Sequence, residues 1–172
     1  MNPPRKQNGF TLLELAVAII TIGILASIFL NRMQRYQEFV EKTVVEATVA
    51  NIRSGLRLRV AELIMQDRMN EMGSLSRENP MSWLEAPPSN YVGQLAQAQD
   101  QRTPPGSWYF DQGRHELVYL LDRSRYFHPG RDGQKAIRFR VIASTRKQAA
   151  NDSDRVEGIS LAPVASYDWA VF

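Results

Sequence analysis

The sequence predicts an α+β fold. A long N-terminal α-helix, membrane-spanning in its first half and amphipathic in its second, packs on a small antiparallel β-sheet. Three observations predict it. Phe10 to Leu30 is an unbroken apolar run with a single charge, Glu14. From Asn31 to Met72 the pattern becomes amphipathic at helical spacing. From Ser107 onward, short alternating segments are separated by turn formers.

The apolar run FTLLELAVAIITIGILASIFL, at ~1.5 Å of rise per residue, makes a helix about 30 Å long, the thickness of a bilayer's hydrocarbon core. A carboxylate there costs up to roughly 2.5–3.5 kcal/mol at the membrane centre. Glu14 lies near one end, where the cost is smaller, but its presence still needs a reason. In front stands a short basic leader, MNPPRKQNG. A cleaved secretory signal would have an apolar region of only about 7–15 residues, closed by small residues. Here the run is longer, and its best such site, Leu25-Ala26-Ser27, is followed by more apolar residues. Two readings remain. One is a plain anchor whose N-terminus is held in the cytoplasm by Arg5 and Lys6. The other is a helix kept after its leader is removed.

Composition fits a membrane-attached domain. Once the apolar helix is set aside, 172 residues leave room for one modest globular unit. The mean hydropathy of −0.34 averages a very apolar end with a polar remainder. The formal charge of +3 falls close to neutral without Arg5 and Lys6, so the chain is not broadly basic. Cysteine is absent, which excludes a disulfide framework and thiol chemistry. The sequence contains no phosphate-binding glycine loop, no H-E-x-x-H and no G-x-S-x-G. Its two histidines, His115 at a strand start and His128 in a Tyr-Phe-His-Pro-Gly turn, have no triad or metal spacing. Nothing points to an enzyme.

Gly9-Phe10-Thr11-Leu12-Leu13-Glu14, continued by Leu15, Ala16 and Ile22-Gly23-Ile24-Leu25-Ala26, resembles the N-terminus of type IV pilins and type II secretion pseudopilins. The resemblance implies that prepilin peptidase cuts after Gly9 and that Phe10 becomes the N-methylated first residue. Glu14 is then the acid required for assembly. It also implies other pilin subunits and an inner-membrane assembly platform as partners. The location implied is a single pass through the bacterial inner membrane, with the C-terminal domain in the periplasm until extraction into a filament. Two departures lean toward a minor subunit. Asn31 stands where many major pilins have proline, which predicts a straighter first helix, and the C-terminal cysteine pair of many pilins is missing.

Elementary physics supports that role for Glu14. Phe10 and Glu14 are spaced i,i+4 and share a helix face. Cleavage before Phe10 creates an α-amino group, which is cationic below about pH 8. In staggered helices, the Glu14 of one subunit can meet the amine of the next. A buried unpaired charge costs several kcal/mol while a pair roughly breaks even, so the pair acts as a register pin. The plainer account is a first-turn acid facing the helix dipole.

The domain plan follows. Residues 1–9 are the cleaved leader, 10–30 the membrane and assembly helix, and 31–72 its amphipathic continuation. Tyr36, Val40, Val44, Ala47, Ile52, Leu56, Val60, Leu63 and Ile64 form the expected core stripe, with Glu38, Glu41 and the arginines on the polar side. Gly55 is a weak point that allows close packing. Met65, Met69 and Met72 are read as core filling, and Gly73-Ser74 as the helix end. Residues 73–106 form a variable, proline-rich segment with a short helical piece near Pro80 to Glu85 and another over Tyr91 to Gln101. Trp83 and Tyr91 fasten it to the core. In 107–172, Ser107–Asp111 and His115–Leu121 make a hairpin, and Ala136–Ala143, Val156–Leu161 and Asp168–Phe172 add strands. Ile137, Phe139 and Val141 face the core, with Arg138 and Arg140 opposite.

Two ligand candidates sit in the C-terminal part, each against a plainer account. Asp152, Asp154 and Glu157 supply oxygen donors at a spacing that suits calcium; the alternative is a solvated loop between strands. Arg123, Arg125, Arg131, Arg138 and Arg140, interleaved with Tyr126 and Phe127, have the makings of a nucleic-acid patch. Strand alternation accounts equally for Arg138 and Arg140, and nearby aspartates dilute the field.

Overall fold

The computed structural model describes residues 11–96, 103–130, 133–146 and 155–171. The arrangement is α+β, with a long N-terminal helix ahead of a small, mostly antiparallel sheet. The chain divides into two compact units, residues 1–37 and 38–172, and helix α1 (Leu12–Met65) belongs to both. It runs without interruption through Asn31, the position at which the proline of many pilins is missing.

Helix α1 ends earlier than the expected Met72, and by a different device. Asp67 takes a left-handed backbone, with φ of 56°. Arg68 N–H donates to Leu63 O at 2.8 Å and Asp67 N–H to Ile64 O at 3.1 Å, which is a Schellman closure. Aspartate enters the left-handed region more readily than most residues, so no glycine is needed. Gly73 lies inside a following 3-10 helix, Met69–Ser76. A second 3-10 turn, Pro80–Trp83, is capped by the Asn79 side chain and falls where the short helical piece was expected.

Tyr91 to Gln101 is not helical over its described part. Tyr91–Leu95 forms strand β1, parallel to β2 (Trp108–Asp111) and interrupted by a bulge. Gly93, at φ of 108°, is incompatible with a helix. Strands β3 (Glu116–Leu120), β5 (Ala136–Arg146) and β6 (Arg155–Pro163) complete a sheet in the order β1-β2-β3-β5-β6. A second, two-stranded sheet pairs β4 (Phe127–His128) with β7 (Asp168–Trp169). The β2–β3 turn occupies residues 112–115, with His115 in the turn at φ of 52° and not in the strand. Asp111 Oδ1 shapes it by accepting from Gly113 and Arg114 N–H.

One sheet face carries Trp108, Leu117, Tyr119, Ile137, Phe139, Val141 and Leu161 into a common core with α1. Cross-strand register aligns Trp108 with Tyr119 and Leu117 with Phe139, and the Trp108 and Tyr119 rings lie 4.8 Å apart. From Ile52 onward the helix face that meets them is largely the expected one, with Ile52, Leu56 and Leu63 buried and Val60 packed against them, whereas before Ile52 it is rotated. Val45, Thr48, Val49, Ile52, Gly55, Leu56 and Leu63 are buried, while Val40, Val44, Ala47 and Ile64 are exposed, Val44 by 53 %. Apolar residues occur on more than one side of this helix, so periodicity alone could not choose between adjacent faces. Of the three methionines only Met72 is core; Met65 is 87 % exposed. Trp83 and Tyr91 do fasten the middle segment, packing on the core, with Tyr91 Oη accepting from Asn79.

Gly55 is a point of close approach. A Cβ there would lie 2.8 Å from the backbone oxygen of Trp83. The opposite sheet face is also covered: Tyr109, Val118, Leu120 and Ala136 form a second buried cluster with Leu95 against it. Arg138, on that face, is only 8 % exposed and not solvated as a half-buried strand would have it.

Candidate functional site

The first unit offers an apolar rod with one acid. Thr11 caps α1, its Oγ1 accepting from Glu14 N–H at 3.2 Å. Thr11-Leu12-Leu13-Glu14 has the spacing of a capping box, a helix-start signal legible in the sequence. Along Leu12 to Leu30 almost every side chain is exposed, and the most apolar stretch has no buried residue at all. The segment is long and apolar enough to cross a membrane. In mid-run, Thr21 satisfies its hydroxyl by donating to Val17 O at 2.8 Å. Glu14 is exposed in the first turn, on a helix that gives it no cationic neighbour in sequence before Arg32. Gly23 has nothing within 4 Å of an added Cβ. Gly9 and Phe10 lie outside the described residues.

The second unit puts acids to the opposite use. Glu38 is 2 % exposed, and its Oε1 accepts from Tyr126 N–H at 2.9 Å and Trp169 Nε1–H at 3.0 Å. Glu41 accepts from the Tyr119 hydroxyl and from the N–H groups of Asp122 and Arg123, at 2.8–2.9 Å. Burial holds the Glu41 carboxyl above its ordinary range, the three hydrogen bonds offsetting part of that shift. Burial, reinforced by the Glu41 charge, also pushes the Tyr119 phenol far up. Lys42 Nζ donates to Trp169 O at 2.7 Å, and Arg53 to Leu161 O at 3.4 Å. The sequence reading put Glu38 and Glu41 on a polar outer face. In the fold they bind the segment after β3 and the C-terminal strand β7 to the helix. A pair of acids at i,i+3 beside a buried stripe could have raised the question, but only the donors, 78 to 131 residues away, answer it.

The arginines named as a nucleic-acid candidate do not share one environment. Arg123 is half-buried beside Asp122 at 3.8 Å, and Arg125 is exposed. Arg138 is buried, donating to Gln134, with Glu116 3.8 Å away. Arg140 is partly exposed and ion-paired to the same buried Glu116. Arg131 lies outside the described residues, as do Asp152 and Asp154 of the calcium candidate; the side chain of Glu157 is not described. Among the described residues no three His, Asp or Glu side chains converge as metal ligands. His128 lies in β4, paired with Asp168 of β7.

The family match lies in the N-terminal segment. Residues 4–30 match the family described as the prokaryotic N-terminal methylation motif. The chain thus carries a prepilin-type N-terminus of the kind found in type IV pilins and pseudopilins, and the helix-and-sheet arrangement behind it is pilin-like. The motif implies prepilin peptidase processing and association with other pilin-like subunits, and with one apolar helix it fits a single-pass membrane-anchored protein. No curated protein and no solved structure matches the chain.

Proposed function

We propose that this chain is a non-enzymatic, pilin-like structural subunit of a type II secretion pseudopilus or a type IV pilus. Prepilin peptidase cuts between Gly9 and Phe10, the new Phe10 amine is methylated, and the subunit polymerises through its N-terminal helix. In this reading the domain waits in the periplasm, anchored by one pass through the inner membrane and engaged by the assembly platform. One observation carries it: a single unshielded acid, Glu14, on an almost fully exposed apolar rod inside the methylation motif. Thr11 already serves the backbone at the helix start. The carboxylate is therefore available for the amine of a staggered neighbour, where pairing in low dielectric offsets its desolvation.

Mass spectrometry of membrane-extracted protein tests this reading. The expected product begins at Phe10 and carries one methyl group, and Gly9→Val leaves only full-length precursor. Intact Met1 in the wild type would reduce the chain to a tethered domain that never polymerises.

A further inference from the structure

The unbroken apolar run of α1 ends at Leu30. Within the next six positions come Asn31, Arg32, Gln34, Arg35 and Tyr36, with Met33 the one aliphatic residue among them, and all six are exposed. Arg32 and Arg35 are spaced i,i+3, so their side chains leave the same side of the helix about 5–6 Å apart at Cβ. They stand within about two turns of the last hydrocarbon-length residue. An arginine fork matches phosphate oxygens in planar, bidentate geometry, and a tyrosine ring suits the same headgroup layer.

We infer that Arg32 and Arg35 form a collar that binds lipid phosphates in the leaflet through which Leu30 emerges and sets the depth at which the helix rests. This rests on the membrane-spanning reading of Leu12–Leu30 and adds a lipid site to it. The length of the rod argues for that occupant. From Thr11 to Leu30, at ~1.5 Å per residue, the helix spans about one hydrocarbon thickness, which brings the arginines to the phosphate layer once the apolar run is immersed. Anionic lipid strengthens the hold, since each basic residue gains from the surface potential.

The test uses the full chain in vesicles. Because the protein has no cysteine, Asn31→Cys and Ile20→Cys each give one fluorophore site whose depth is read with lipid-attached quenchers. The label at 31 is expected at headgroup level and the label at 20 deep in the hydrocarbon. R32E/R35E is expected to displace the label at 31 outward by about one turn, ~5 Å, and by more in phosphatidylglycerol than in phosphatidylcholine vesicles. R32K/R35K, which keeps the charge but not the fork, is expected to move the label outward by less than R32E/R35E does. If label 31 holds its depth in R32E/R35E and in both lipids, the collar does not bind lipid, and a neighbouring subunit's acid becomes the alternative partner. If label 20 is not in the hydrocarbon, the spanning reading falls and the collar with it.

Discussion

Residues 12–30 and 45–63 lie on one continuous helix and have opposite relations to their surroundings. The first stretch is apolar on all sides and exposed on nearly all of them. The second is richly charged yet buries Val45, Val49, Ile52, Leu56 and Leu63 along one side. Their acids are inverted in the same way. Glu14 is the polar exception on an apolar rod and stays exposed, whereas Glu38 belongs to a polar-looking stretch and is buried. Burial here follows what the rest of the chain can place beside a helix, not how apolar the helix is. The globular part supplies donors for Glu38 and Glu41 and an apolar sheet face for the valines. Under the proposed function, the first stretch finds its apolar partners in lipid or in other subunits.

The same substitution made at both acids would break or sharpen this contrast most strongly. Glu38→Val strands two buried donors, Tyr126 N–H and the Trp169 indole. It is expected to destabilise the domain by roughly 2–5 kcal/mol in denaturant unfolding of the detergent-solubilised chain. Glu14→Val is expected to change that unfolding by less than about 0.5 kcal/mol while lowering incorporation into sheared filaments. Equal losses of stability from both would erase the distinction.

The two helical glycines give the next largest contrast. Alanine normally stabilises a helix by up to ~1 kcal/mol over glycine. Gly23→Ala, with open space around it, is expected to follow that rule. Gly55→Ala drives a methyl against the Trp83 carbonyl, so its sign reverses to a loss of roughly 1–3 kcal/mol. A Gly55→Ala variant with an unchanged unfolding midpoint would show that the Pro80–Trp83 turn yields freely.

The smallest effect concerns Glu41. Its folded pKa lies above the ordinary 4.5 because burial disfavours the charge. The folded state therefore holds that proton more tightly than the unfolded chain. The contribution is fully present below about pH 4.5 and is lost as pH rises through the folded value. Relative to Glu41→Gln, which cannot titrate, the wild type is expected to gain stability as pH falls from about 7 toward 4.5. The check is a pair of urea titrations at each pH, and a difference that shrinks or stays flat contradicts the assignment.

The sequence by itself determined what depends on neighbours along the chain. A rod long and apolar enough to cross a membrane needs only an apolar run of sufficient length. The methylation motif is a local string, and the β2–β3 hairpin is signalled by alternation and a short turn. Even the Thr11 cap was legible as Thr-x-x-Glu. Tertiary structure decided the rest, because those outcomes depend on groups far apart in sequence. Which face of the amphipathic half is buried was settled by the sheet it meets, since both candidate faces carry valines. The pairing of β1 with β2 brought a bulged, glycine-containing segment into the sheet where a helix had been read. Arg138 became buried because Glu116 and Gln134 were there to receive it. Glu38 and Glu41 became internal clamps because backbone donors beyond Tyr119 fold back onto them. A charge can leave water only when its partners arrive with it, and those partners are fixed by the fold and not by the local sequence.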